Sequence, residues 1–327
     1  MYGFNQINIL NKMISDLTKK LLTINKLKNI SDATLEKIIK IDGYQSKEVE
    51  EIAESVPRLR NSIIDSDTLI AAEEEAHEDF YESKNIGYKI LSVVDEEYPE
   101  ILRQTSDRPF FLHIRGQMPK LPSVAIIGTR EPTQHGIIIA ERISNYFSEN
   151  GWSVVSGLAL GCDTIAHKTA VKNKTHTTAV LAHGLGTISP KPNEKLSQEI
   201  LSTGGTLLTE YDFKTKPLPY QFAARDRIQA GLSQGVIMIQ SDIKGGSLIA
   251  SSAAIKYGRI LAVPNSTDLD KKNKEHKIEA NLVLASSDND AKADLLKSGP
   301  LECQNIFVIN SKDDYEILEN KLMEQYE

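Results

Sequence analysis

Three glycine-rich stretches in this chain have the residue types that hold phosphate. Gly128-Thr129-Arg130 follows the apolar run Val124 to Ile127. Ser156-Gly157-Leu158-Ala159-Leu160-Gly161 follows Trp152 to Val155, and Lys244-Gly245-Gly246-Ser247 follows Val236 to Gln240. Each stretch runs on into helical spacing. A glycine loop between a strand and a helix turns backbone N–H groups outward at a helix N-terminus, where negative charge is stabilised. Arg130 adds a fixed cation whose planar fork matches phosphate oxygens, a role preferred to that of a surface arginine capping the loop. Several such loops on one sheet edge build a groove rather than a point site. The phosphate could belong to a mononucleotide, a dinucleotide or a nucleic-acid backbone.

Other residues with chemical potential fall nearby. Phe222, Arg225 and Arg227 sit near the start of a predicted helix. An aromatic face with guanidinium contacts to phosphate is a physical route to holding a single strand without reading its sequence. The alternative is a core phenylalanine with solvated arginines. Asp163 and His167 are four residues apart on one helix, and a hydrogen bond between them that fixes the glycine loop is preferred to an acid/base pair. Cys162 has no partner in the sequence that would make it a nucleophile. Gly204-Gly205-Thr206-Leu207-Leu208-Thr209-Glu210 faintly resembles the PGGxGTxxE signature of nucleotide phosphoribohydrolases, which makes Glu210 a candidate catalytic carboxylate. The glycine pair also serves as an ordinary helix stop. Neither GxGxxG nor GxxxxGK[ST] occurs, which argues against a dinucleotide cofactor and against a P-loop ATPase.

The elements that position these residues follow from periodicity. Strands are predicted at 124–127, 152–156, 178–182, 206–209, 235–240 and 259–263, with helices at 134–149, 163–172, 194–202, 220–231 and 247–257. The alternation specifies an α/β fold: a Rossmann-like, mostly parallel sheet with helices on both faces and its ligand at the carboxyl ends of the strands. Residues 1–84 read as a small helical N-terminal domain (SAM- or HhH-like), with apolar spacing at Leu21, Leu22, Ile24, Leu27 and Ile30 and an N-cap at Ser31. The core is expected over 85–270, with an extended lead-in over 85–120 that carries strand-like runs at 89–94 and 110–114. The stretch after Pro264, NSTDLDKKNKEHKIEAN, is polar enough to predict an exposed loop or flexible excursion. Over 271–327 only a strand at 305–309 and a helix at 313–324 follow, with no clear winged helix.

The formal net charge of −7 argues against a generally basic, polyanion-binding surface. The charge is uneven, however. Residues 47–82 are acidic around Glu73-Glu74-Glu75, while the central loops carry Arg130, Lys168, Lys191, Lys195, Arg225, Arg227 and Lys244, so a basic pocket on an acidic protein is expected. The two cysteines, Cys162 and Cys303, lack CxxC spacing. They offer neither a disulfide framework nor a zinc site, and they suit a cytoplasmic location. No apolar run is long enough to cross a bilayer. The start reads as structural rather than as a signal peptide. Neither a cofactor nor a metal is expected.

Taken in order, these segments resemble the DNA-processing protein A (DprA/Smf) family. LSVVDEEYPEILRQTSDRPFFLHIRG (91–116) resembles its lead-in and SVAIIGTREPTQHG (123–136) its glycine-serine/threonine-arginine loop. VVSGLALGCDTIAH (154–167) resembles its SGLAxGID-x-x-AH, and TAVLAHGLGTISPKPN (178–193) its AVLGxGLDxxYPxxN. RDRIQAGLS (225–233) resembles RNRIIAGLS, KGGSLIAS (244–251) resembles GSGSLIT, and RILAVP (259–264) resembles VFAVPG. The likeness covers 88–265, and more loosely 21–40. It implies a core that binds single-stranded DNA, protects it and loads the recombinase RecA onto it, as a homodimer and without established catalysis, in natural transformation and recombination. By matching position, Arg130 would contact phosphate from the first loop, and Gly157 and Gly161 would shape the second. Lys191 and Asn193 would lie in the groove, and Phe222, Arg225 and Arg227 would hold the strand. The chain departs from the pattern at Asp226 (for asparagine), Ala223 (for proline), Ser189 (for tyrosine) and Asn265 (for glycine), and after Pro264 it loses CNxLIxxGA. The alternatives are a nucleotide-binding sensor or phosphoribohydrolase-like enzyme in the same pocket, for example in anti-phage defence, and a scaffold whose acidic N-terminal region docks a basic partner.

Overall fold

The structure, a computed structural model, describes residues 13–324, which divide into two compact units. The first takes in the chain up to Tyr98 together with Pro109–Ile114. It holds helices Asp16–Lys26, Asp32–Ile38, Val49–Ser55, Pro57–Ser62 and Ser66–Ile86, and the neighbouring strands β1 (Tyr88–Ser92) and β2 (Phe111–Gly116). The Ser15 side chain accepts from Thr18 N and starts the first helix, whose Leu21, Leu22 and Ile24 are buried. The long helix begins at Asp65, whose carboxylate accepts from Thr68 N at 2.9 Å, and ends at Gly87 with φ +76°. Lys26 meets Asp79 at 2.7 Å with both side chains nearly enclosed, while Glu73, Glu74 and Glu75 face solvent. The acidic run is thus the outer face of an amphipathic helix.

The second unit is Pro99–Arg108 with everything from Arg115 onward. Its strands are β3 (Ser123–Ile127), β4 (Ser153–Ser156), β5 (Thr177–Val180), β6 (Thr206–Thr209), β7 (Gly235–Met238), β8 (Ile260–Pro264) and β9 (Phe307–Ile309), in the order β6-β5-β4-β3-β7-β8-β9. Every neighbouring pair among them is parallel, with Val124 beside Val154 and Ala125 beside Val236. From β3 the chain first builds outward through β4, β5 and β6. It then returns to lay β7 against the other side of β3. The loops leaving β3 and β7 therefore part there, and a crevice opens at the carboxyl ends of these two strands.

Alternation along each strand gives the sheet two buried faces. On one, Val124, Ile126, Val154 and Ile237 pack with Ile143 and Phe147 of helix Gln134–Glu149, Ala166 and Ala170 of helix Cys162–Lys172, and Leu318 and Leu322 of helix Asp314–Met323. Phe147 and Trp152 meet edge to face at 5.6 Å. Glu319 of the last helix accepts from Trp152 Nε1 at 2.8 Å and from the Tyr146 hydroxyl at 2.6 Å, which fastens the C-terminal helix to this face. Helices Pro219–Gly231 and Ser247–Lys256 pack on each other, and Ser251 of the latter reaches the sulfur of Met238.

The stretch after Pro264 corrects the expectation of an exposed loop. It folds into helices Asp268–Lys272, Glu279–Leu284 and Asn289–Leu296, and Asp270 and Asn281 are buried. Polar side chains go inside here because they serve backbone groups at strand ends. Asn281 donates to Ile239 O and Pro264 O and accepts from Ser241 N, so it joins the ends of β7 and β8. The signal was present: Thr267 caps the short helix by accepting from Asp270 N. No described helix is long and apolar enough to cross a membrane.

Candidate nucleic-acid interface

A cavity of about 510 Å³ occupies the crevice between β3 and β7. The first loop reaches it through Gly128, Thr129 and Arg130, the third through Ser241, Gly245, Gly246 and Ser247, and helix Pro219–Gly231 through Phe222, Asp226 and Gln229. The first loop is fixed from behind. Thr129 N donates to Gln240 O at 2.8 Å, the Gln240 side chain bonds Thr133 N and Thr133 Oγ1 at 3.0 Å each, and Thr133 caps helix Gln134–Glu149. Its front is open: Arg130 is exposed, and its guanidinium lies 5.7 Å from the centre of the Phe222 ring, a cation–π contact beside a half-buried aromatic face. In the third loop, Lys244 N and Gly245 N turn back onto Asp242. Among the described residues, the N–H groups of Gly246 and Ser247 at the start of helix Ser247–Lys256 meet no protein acceptor. A cation, an aromatic face and open helix-terminal amides around one cleft suit a phosphate with an attached flat group.

The second loop is built differently. Gly157 N and Ala159 N donate to Asp163 Oδ2 at 3.1 and 3.2 Å, and Leu158 N donates to His167 Nε2 at 3.3 Å. Asp163 and His167 therefore hold the loop separately rather than through a bond to each other, which corrects the sequence reading. Thr177 Oγ1 donates to Val154 O, so it accepts from His167 Nδ1; this fixes the neutral tautomer with Nε2 free to accept. Burial, and next the positive charge of Arg225, depress His167 to about 3. Burial raises the Asp163 carboxyl against the pull of Arg225 and the loop amides, and burial likewise raises the Cys162 thiol. A neutral histidine whose Nε2 accepts from Leu158 N, a carboxylate whose Oδ2 accepts from Gly157 N and Ala159 N, and a buried protonated thiol act here as parts that hold the loop.

Arg225 completes the clasp. It is buried, and its guanidinium donates to Gly157 O at 2.6 Å, to Val180 O and to Asp226 Oδ1 at 3.1 Å. A Cβ on Gly157 would sit 2.6 Å from that guanidinium, so only glycine allows the approach. Gly161, at φ +77°, lets helix Cys162–Lys172 start against the first loop; a Cβ there would lie 2.4 Å from Thr129 O. Ser156 Oγ bonds Ile126 O inside the sheet. Asn193 is buried and donates to Leu158 O and Thr164 Oγ1 at 2.8 Å, bracing the same loop from behind.

The cations expected in one basic pocket do not all line the same cavity. Arg130 and Arg225 line the crevice cavity, whereas Lys244 and Arg227 line a second one of about 870 Å³, and Lys191, exposed, lines neither. Arg227 forms a two-pronged pair with Glu210 at 2.7 and 2.6 Å and also donates to Asp107 O and Ala224 O. Both Glu210 oxygens are thus engaged, and Glu210 does not reach the crevice.

Burial pushes Asp226 up to about 7, with Arg225 and Arg130 opposing and Asp163 reinforcing the shift. Sequence reasoning missed Gln240, Gln229, Asp270 and Lys277. Asp270 is buried within 3.3 Å of Thr133 Oγ1, and Lys277 lines the crevice while pairing with Glu131 at 3.6 Å. Gln240 and Gln229 carry no charge or motif that singles them out, and the other two lay in the presumed loop. Among the described residues no cluster could hold a metal ion.

The sequence model described as DNA recombination-mediator protein A matches residues 89–293. DNA processing protein DprA of Bacillus subtilis (strain 168) is 36% identical over 184 residues, covering 55% of this chain and 62% of that protein. DNA processing protein DprA of Streptococcus pneumoniae R6 is 37% identical over 179 residues, covering 54% and 63%. The chain thus spans less than two thirds of the length of these curated relatives. Among solved structures, DprA from S. pneumoniae superposes with a TM-score of 0.64 at 27% identity, over 95% of this chain and 96% of that one. DNA processing protein A from Helicobacter pylori, whose structure is described as giving insight into its single-stranded DNA binding mode, gives 0.57 at 28% identity over 73% and 97%. A matching model over more than half the chain, on this parallel sheet with its crevice between β3 and β7, places the chain in the DNA recombination-mediator protein A family.

Proposed function

We propose that this chain binds single-stranded DNA, holding the phosphate backbone across the crevice between β3 and β7, and that it takes part in DNA processing during transformation or recombination. The observation that carries the reading is the pairing of an exposed Arg130 with the Phe222 ring beside the open N-terminus of helix Ser247–Lys256. Arginine and the helix terminus suit phosphate, and the ring suits an unstacked base. What is described for the H. pylori relative supports the same ligand. In the same proposal the protein works in the cytoplasm as a homodimer, protects the strand and passes it to RecA, with no catalysis of its own. The occupied Glu210 gives the phosphoribohydrolase reading no free carboxylate.

The test is fluorescence anisotropy of a labelled oligo-dT titrated with the protein at several salt concentrations, with and without excess duplex competitor. Salt-dependent binding that duplex does not displace is expected. Absence of binding at low salt would overturn the proposal.

A further inference from the structure

Phe222, Asp226 and Gln229 stand at i, i+4 and i+7 on helix Pro219–Gly231, so they share one face over two turns, and all three line the crevice cavity. Their hydrogen bonding is lopsided. Arg225 Nε and Gln229 Nε2 both donate to Asp226 Oδ1, at 3.1 and 2.7 Å. Asp226 Oδ2 receives no donor among the described residues. Gln229 is 2% exposed, and its buried Oε1 has no hydrogen-bond partner. Because Gln229 Nε2 faces the Asp226 carboxylate, the orphan atom is the carbonyl oxygen. Buried acceptors are rarely left without a donor, and on a residue that lines a cavity a ligand N–H, admitted by a small turn of the side chain, would supply the missing one.

Two acceptors without donors, on residues three apart on one helix face, suit a ligand that carries two donors close together. Phe222 offers a flat apolar face on the same side of the helix, and Arg130 offers a phosphate contact. Of the four DNA bases, guanine alone carries two adjacent donors, N1–H and the 2-amino group, on its Watson–Crick edge. Thymine presents a single N–H between two carbonyls that would face the acceptors; adenine and cytosine present an amine beside a bare ring nitrogen. We propose that Asp226 and Gln229 form a base-reading subsite that prefers guanine within a bound single strand. This rests on the single-stranded DNA reading above and replaces sequence-neutral holding with a preference at one nucleotide.

The experiment compares labelled 12-mers of dT carrying one central dG, deoxyinosine (which lacks the 2-amino group) or dT, titrated at pH 8.5, where the Asp226 carboxyl is ionised. One guanine per oligomer prevents quadruplex formation. The dG oligomer is expected to bind about tenfold tighter than the all-dT oligomer, with deoxyinosine between them. Asp226→Asn and Gln229→Leu are expected to bring the dG-to-dT ratio close to one, the ratio being read at whatever all-dT affinity each variant retains. Equal affinities in the unmodified protein, or a ratio unchanged in both variants, would overturn the subsite and leave the DNA reading standing. Failure of every oligomer to bind would remove both.

Discussion

Two loops of like composition, 128–133 and 156–161, end adjacent parallel strands and do opposite work. In the second loop three consecutive amides are taken by Asp163 and His167, its carbonyls by Arg225 and Asn193, and its glycines by close approach. In the first, the bonds run backward to Gln240 and Thr133 while Arg130 and the cavity face outward. A glycine-rich loop between strand and helix is therefore not by itself a phosphate site. What decides is whether the following helix carries acceptors that fill the loop first. Asp163 and His167, in the first two turns of helix Cys162–Lys172, do so.

The comparison breaks most sharply at Arg225. If the second loop is a clasp, Arg225→Met leaves Gly157 O, Val180 O and the Asp226 carboxylate without their shared donor in a buried setting. Removing one partner from such a network costs roughly 3–5 kcal/mol. The urea midpoint should fall accordingly, with Gly157→Ala also destabilising through its clash with the guanidinium. Unchanged stability with lost DNA binding would instead make Arg225 a ligand contact and the two loops alike.

Next in size is the pH response of the cluster. The folded Asp226 pKa is raised from the ordinary carboxylate value near 4 to about 7. The stability associated with its neutral form is present in full below about pH 4 and is lost as pH rises through 7. His167 acts in the opposite sense: depressed to about 3, it contributes above about pH 6.5 and loses that contribution as pH falls toward 3. Asp226→Asn is expected to leave stability near pH 4 unchanged and to raise it by roughly 1–3 kcal/mol at pH 8. A gain that does not grow with pH would show that the carboxyl is not held up by its surroundings.

The fold was legible because hydrophobic periodicity is strong wherever a strand is buried on both faces; the six strands predicted between 124 and 263 all exist, ending within a few residues of the expected positions. The site was legible only in part. Motifs reveal residue types, and Arg130, Phe222 and the third loop do meet at one crevice. They do not reveal which donors the protein has already filled. Arg225 and Arg227 read as ligand contacts because arginine near an aromatic looks available, yet one is buried among carbonyls and the other is paired with Glu210. The segment after Pro264 was read as loop because its polarity was counted as solvation, whereas Asp270 and Asn281 face inward to serve backbone and side-chain groups. Gln229 was invisible for the same reason: its interest lies in a missing partner, which no sequence displays.

The first loop's role is sharpened by Arg130→Ala. Arg130 is exposed and forms no salt bridge with a described residue, so the substitution should shift the urea midpoint little, within about 0.5 kcal/mol. It should weaken single-stranded DNA binding about tenfold, evenly across sequences, and reduce the salt slope by about one. Retained affinity would detach the first loop from the ligand and move attention to the helix terminus at Gly246 and Ser247.

The smallest expected effect separates position from charge. Lys191 is exposed like Arg130, but it stands on the turn Lys191–Asn193 and lines neither cavity, while its neighbour Asn193 braces the clasped loop. A lysine that adds only to the general field interacts through water over distances comparable with the Debye length and is strongly screened near 0.15 M salt. Lys191→Ala should therefore change oligo-dT affinity by less than about twofold at that ionic strength, with a larger change appearing only at low salt. A loss as large as that of Arg130→Ala would extend the bound strand past the second loop, and the clasp would then lie beneath the DNA path rather than beside it.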